Sequence, residues 1–235
     1  MIKRYPKIIA LSIVYCLFSI AYCQPVFSQT KPKVKKTIRG EALLFQPLSN
    51  KAFSQLFSGV FATNLSLNFG VNNFNTGIFY NLMQSQIFPK FEYEPHAIQT
   101  VHTGGIRFSY DIYPSKAKLA SQKGNFTVVS PFLSGGFSQV DYSRLKCKVQ
   151  HVTNKSDQTF SLTAGANFNL MFSEYDGVGF TIGYSFLNHE FNPNELCLNE
   201  YYPNIPDKDK LGLSQYILYG FNVHFDLVKR DPDSE

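Results

Sequence analysis

Between Thr159 and Phe172 every second residue is apolar. Phe160, Leu162, Ala164, Ala166, Phe168, Leu170 and Phe172 alternate with Thr159, Ser161, Thr163, Gly165, Asn167, Asn169 and Met171. A period of two places one set on each side of an extended strand, where a helix would repeat every 3.6 residues. The pattern returns at Val178, Phe180, Ile182, Tyr184 and Phe186, and again at Ile217, Tyr219, Phe221, Val223, Phe225 and Leu227. Leu65–Val71 and Ile106–Ile112 repeat it. From residue 38 onward this is the dominant period, so the chain reads as all-β.

Alternation alone does not say which face turns inward. The exterior of a soluble protein is normally rich in Lys and Glu. Here the polar face is mainly Gly, Ser, Thr and Asn, residues small enough for the crowded lumen of a narrow barrel. Composition supports this orientation. The chain holds 23 Phe and 14 Tyr with no Trp, and only 17% charged residues, against roughly 25% in ordinary soluble domains. Mean hydropathy is nevertheless −0.14, as expected when apolar residues are dispersed at alternate positions. The Phe-rich face then meets lipid, with Tyr and Phe near strand ends as interfacial girdles. The reverse orientation, a soluble lipocalin-like carrier with an apolar interior, is the alternative.

Strands are expected near 38–46, 58–70, 75–85, 98–113, 126–142, 159–172, 177–190 and 213–228. Val71–Phe74 and Ser173–Asp176 are tight turns, 114–125 is a longer turn on the same side, and 86–97, 143–158 and 191–212 are long polar loops. Short turns on one side and long loops on the other characterise outer-membrane barrels. In hydrocarbon an unpaired backbone group costs several kcal/mol, so the sheet must close on itself. The expectation is an eight-stranded antiparallel transmembrane β-barrel over residues 38–228, too narrow for an open pore.

Residues 1–28 read as an export signal. Lys3, Arg4 and Lys7 precede an apolar run, Ile8–Ala21, shorter than the ~20 residues a spanning helix needs. Cleavage fits after Cys23 or after Ser28, with the small Ser28 preferred. The bulky Tyr22 disfavours a lipid anchor on Cys23. Residues 29–37 form a short basic leader, expected to be disordered, and 229–235 a charged tail. The formal charge of +5 falls to about +2 once the three signal cations are removed. No basic patch is left for a nucleic acid.

Three segments resemble the outer-membrane β-barrel family common in Bacteroidota, which includes the barrel of the Por-type secretion system and small OmpA-like barrels. They are Ser130-Pro131-Phe132-Leu133-Ser134-Gly135-Gly136-Phe137, Ala164-Gly165-Ala166-Asn167-Phe168 and Gly177-Val178-Gly179-Phe180-Thr181-Ile182-Gly183-Tyr184. The resemblance implies an outer-membrane location. Members of that family commonly end on an aromatic residue, whereas here Phe225 and Leu227 precede the charged tail.

Candidate chemistry is sparse. Cys147 and Cys197 fall in neighbouring outer loops of an exported protein, and a disulfide between them is expected. Within strands the charges are Glu41, Arg107, Asp111, Asp141, Glu190 and Asp226. Arg107 and Asp111 share a parity, and with Asp226 they are the candidate lumen charges, read as a structural plug. The histidines are scattered, and His102 with the serines of 130–138 makes no compact nucleophile–base arrangement. No catalytic residue, metal or cofactor site is expected. The functional expectation is a non-enzymatic outer-membrane barrel with a structural or interaction role. Its partners would be membrane lipid and a protein met through the outer loops, in an envelope secretion or assembly complex. A small transport barrel for a hydrophobic or small solute is the second alternative.

Overall fold

The computed structural model describes residues 34–48, 54, 56–87, 97–113, 126–144, 154–172, 176–192, 196–198 and 213–227. The chain divides into two units, Met1–Pro32 and Lys33–Glu235. The first unit, with the expected signal peptide and Cys23, lies outside the described residues, as does the tail 229–235.

The second unit is a closed barrel of eight antiparallel strands in sequence order. They are β1 (Val34–Pro47), β2 (Phe57–Val71), β3 (Phe74–Ile87), β4 (Ala97–Tyr110), β5 (Phe126–Ser143), β6 (Asn154–Met171), β7 (Gly177–Glu190) and β8 (Leu213–Asp226). The ring closes where β1 pairs with β8, from Thr37↔Asp226 to Pro47↔Tyr216. Pairing followed once round from Thr37 passes Asn68, Gly77, Arg107, Ser134, Thr163, Ser185 and Tyr216. It returns to β1 at Pro47, ten residues farther along. With rises and strand spacings of about 3.3 and 4.7 Å, that stagger implies a tilt of about 40° and a backbone radius of about 8 Å.

The burial pattern is that of a membrane barrel. Leu65, Phe69, Ile78, Ile106, Phe168, Phe180, Ile182 and Phe221 are exposed, while Asn64, Ser66, Asn81, Ser134, Asn167, Asn169 and Asn222 are buried. In water this surface would expose far more contiguous apolar area than a soluble monomer tolerates. The lipocalin-like alternative needs the opposite arrangement, so the orientation corrects it. The chain is a transmembrane barrel. At the loop end the outward face changes to Gln46, Gln84, His102, Gln139, Gln158 and Gln215. There Tyr80 Oη meets His102 Nδ1 at 2.6 Å, and Tyr184 Oη donates to Gln215 Oε1 at 2.6 Å. Between Lys36 and Gln46 of β1 the tilted strand rises about 25 Å, the height of an outer-membrane apolar band. Phe74 stacks on Phe108 near the opposite rim, ring centroids 6.2 Å apart.

Three local features set the parity. Asn72 occupies the left-handed region (φ 57°) in the two-residue turn between β2 and β3, a conformation Asn tolerates better than most residues. A bulge between Gly59 and Phe61 turns both Val60 and Phe61 outward, which switches the inward set from Phe57 and Gly59 to Ala62 and Asn64. A side chain at Gly59 would run into the Phe45 carbonyl, 2.1 Å from an ideal Cβ.

Two boundaries differ from expectation by four residues or more. Residues 34–37 belong to β1 and not to a leader, because Lys35 faces the lumen, 3.7 Å from Asp111. β6 begins at Asn154, five residues before the alternation becomes readable. Its first residues are polar on both faces and pair with β5 through Ser143↔Asn154.

Candidate functional site

The lumen is built in two parts. Near the chain termini it is polar and charged, and toward the long loops it is apolar. Along β1 the inward residues run Lys35, Thr37, Arg39, Glu41, Leu43, Phe45, crossing from one part to the other.

In the polar part Arg107 on β4 reaches Glu41 on β1 at 2.8 Å, with side-chain exposures of 1% and 2%. The contact is close but bent away from hydrogen-bond alignment. The guanidinium carbon of Arg107 lies 3.9 Å from the Phe132 ring centroid, a cation–π contact. Phe132 in turn fills the space beside Gly165, where an ideal Cβ would stand 2.7 Å from Phe132 Cζ and 2.3 Å from the Ile182 carbonyl. The hydrogen-bond network sets the Asn167 amide with its oxygen toward the two guanidiniums. It accepts from Arg107 Nη2 at 3.0 Å and from Arg39, and its nitrogen donates to Thr181 Oγ1 at 2.8 Å. Asn222 Nδ2 donates to the same hydroxyl at 3.0 Å.

Closer to the rim, Ser130 Oγ donates to Asp111 Oδ1 at 2.8 Å and accepts from Asn169 Nδ2 at 3.3 Å. Lys35 donates to the Tyr113 hydroxyl and lies 3.7 Å from Asp111. A cavity of about 30 Å³ opens here, lined in part by Lys35, Arg39, Asn75, Asp111, Asn169 and His224.

The loop-end half is a hydrophobic core. Leu43, Phe45, Phe57, Ala62, Met83, Ile87, Val101, Val140 and Leu218 from the strands pack with Leu56, Phe191, Leu196 and Leu198 from the connections. Phe45 meets Tyr216 and Phe57 meets Phe191 edge to face, at 5.5 and 5.2 Å, each worth about 0.5–1.5 kcal/mol beyond area burial. One polar chain is threaded through this core. Ser85 Oγ donates to Gln99 Oε1 (3.0 Å), Gln99 Nε2 donates to Tyr142 Oη (2.9 Å), and Tyr142 Oη meets His189 Nε2 (3.0 Å).

The expected lumen charges Arg107 and Asp111 both face inward but serve different partners, Glu41 and the Lys35–Ser130 pair. Asp226 pairs with Thr37 at the end of β8, and its side chain lies outside the described residues. Cys197 is disulfide-bonded, while Cys147 lies outside the described residues. His102 faces outward beside Tyr80, whereas Ser138 faces the lumen against Thr103 Oγ1 at 2.7 Å, so that histidine and that serine lie on opposite sides of the wall. Among the described residues no group of three or more His, Cys, Asp or Glu is placed to hold a metal.

Sequence reasoning missed Arg39, which falls within its first strand and shares the parity of Glu41. It also missed the apolar plug from the loop after β7. Phe191, Leu196 and Leu198, three large apolar residues in an otherwise polar stretch, were the signal available.

No protein-family model and no curated protein matches the chain. Among solved structures it superimposes on Neisserial surface protein A with a TM-score of 0.50 at 8% identity, covering 83% of this chain and 99% of that one. The outer membrane protein OprG from Pseudomonas aeruginosa (TM-score 0.42, 12% identity, 85% and 99% covered) is also similar. So is Ail of Yersinia pestis, solved with a heparin analogue (0.42, 12%, 82% and 99%). These are small outer-membrane barrels, and the likeness is one of fold.

Proposed function

We propose that this protein is a non-enzymatic barrel of a Gram-negative outer membrane whose role is structural or interactive and is exercised at its loop end. The observation that carries the reading is the packed lumen. Arg107, Asn167, Gln99, Ser130, Val101 and Val140 are each at most 2% exposed although all face the barrel interior. A water-filled channel would leave such groups accessible. The working surface is then the outside of the loop end. There β5 and β6 run 18 residues against 14 or 15 in the other strands. Pairing of β6 with β7 ends at Ser161↔Leu187, so Asn154–Phe160 continue in register with β5 alone. Asn154, Ser156 and Gln158 are exposed there, above the apolar band and available to a protein partner. A place in an envelope secretion or assembly complex rests on the sequence resemblance to Bacteroidota barrels.

Single-channel recording on the refolded barrel in planar bilayers tests the reading. Silence under applied voltage is the expected result. A steady, reproducible conductance would instead establish a small transport barrel.

A further inference from the structure

The described part of the lumen holds more buried cation than its carboxylates satisfy. The strands place Lys35, Arg39 and Arg107 inside, with Glu41 and Asp111. Glu41 is engaged by Arg107 at 2.8 Å. Asp111 is engaged by Lys35 at 3.7 Å and by Ser130 Oγ at 2.8 Å. Arg39 has no carboxylate within ion-pair distance among the described residues. Its contact is the Asn167 amide oxygen, which it shares with Arg107, and its Nε has no hydrogen-bond partner. Yet Arg39 is only 8% exposed. An isolated guanidinium in such surroundings is strongly disfavoured without a counter-charge. Glu41 and Asp111 act on it from farther off, and Asp176 acts on neighbouring His224 from the β6–β7 turn.

Arg39 borders the rim cavity, and so does His224, 6% exposed, whose Nδ1 also has no partner. The cavity, about 30 Å³, has room for one or two water-sized occupants. That room suits a monatomic anion.

We propose that the Arg39 cavity is a binding site for a single chloride-sized anion. The ion supplies the counter-charge that no described residue brings within ion-pair distance of Arg39, and it ties the polar half of the lumen together.

The test uses the full barrel chain refolded in a non-ionic detergent. Its melting, followed by circular dichroism, is compared in sodium chloride and sodium gluconate at matched ionic strength. Gluconate serves as the bulky comparison anion. Chloride is expected to raise the midpoint saturably, by roughly 5–10 °C at a hundredfold excess over its dissociation constant. Bromide should substitute, and Arg39→Met should remove the difference between the salts while Arg39→Lys keeps part of it. Crystals grown in bromide should show an anomalous peak beside Arg39 Nε, and this measurement decides the matter if Arg39→Met does not fold. Superimposable melts in the two salts, a chloride effect unchanged in Arg39→Met, or no bromide at Arg39 would each overturn the proposal.

Discussion

Glu41 is the carboxylate on which the centre of the lumen depends. Its oxygen lies 2.8 Å from Arg107 Nη1, and both side chains are almost wholly shut off from solvent. Replacing Glu41 with Gln leaves the shape nearly unchanged but removes the charge. Arg107 then keeps its ring contact with Phe132 and the Asn167 oxygen, neither of which is an anion. Leaving one member of a buried pair uncompensated costs about 3–5 kcal/mol, or roughly two to three and a half decades in the unfolding equilibrium. Replacing both partners with apolar residues is a different perturbation, because it removes the desolvation cost together with the attraction. The double substitution Glu41→Leu with Arg107→Met should therefore recover most of the loss. The assay is urea unfolding of the barrel in lipid vesicles, followed by the gel shift between folded and boiled forms. If Glu41→Gln unfolds within about 0.5 kcal/mol of the parent, a spread typical of unremarkable surface substitutions, the pair is not what organises the lumen. Equal and additive losses in the double variant would refute the coupling.

Further outcomes follow from the same structure. Ile78→Arg, at mid-height on the lipid face and 61% exposed, should cost about 2–4 kcal/mol in vesicles, against about 0–1 for Phe74→Arg near the rim; a reversed order would displace the membrane band. Gly165→Ala should destabilise the barrel markedly, because the added carbon meets the Ile182 carbonyl at 2.3 Å and Phe132 at 2.7 Å; paired melts of variant and parent read this directly. Tyr142→Phe should cost about 1–3 kcal/mol by stripping Gln99 of its acceptor inside the apolar half. Cys147→Ser should leave Cys197 free to react with a thiol reagent on unfolding and remove roughly 4 kcal/mol of loop constraint; a Cys197 that stays blocked would refute the Cys147–Cys197 pairing.

The architecture was readable wherever one face met lipid and the other met small polar groups along the whole strand. β7 satisfies that condition and its limits were anticipated, as was the part of β6 from Thr159 onward. β1 does not. Its inward positions pass from Arg39 and Glu41 to Leu43 and Phe45, because the lumen changes from polar to apolar halfway up. Alternation by hydropathy is then lost although the strand is regular. The Glu41–Arg107 contact was illegible for another reason. It crosses the lumen between β1 and β4, which do not pair, so neither parity nor register specifies it. The shared parity of Arg107 and Asp111 put both on one face but could not assign partners. The extension of β6 below Thr159 was hidden because, beyond the band, neither face needs to be apolar. The loop after β7 read as solvated because Pro193, Tyr201 and its acids dominate it, while Phe191, Leu196 and Leu198 close the barrel core.

The orientation of the wall is the central claim, and single-site spin labels along β7 test it most directly. Labels at Phe180, Ile182 and Tyr184, and at Thr181 and Ser185, are placed one at a time in vesicle-embedded protein. Collision with lipid-dissolved oxygen should be high at the first three and low at the other two, and a water-soluble nickel reagent should reach none of them well. The opposite alternation would make the aromatic face an interior. Strong nickel access at Thr181 and Ser185 would make the lumen an aqueous pore.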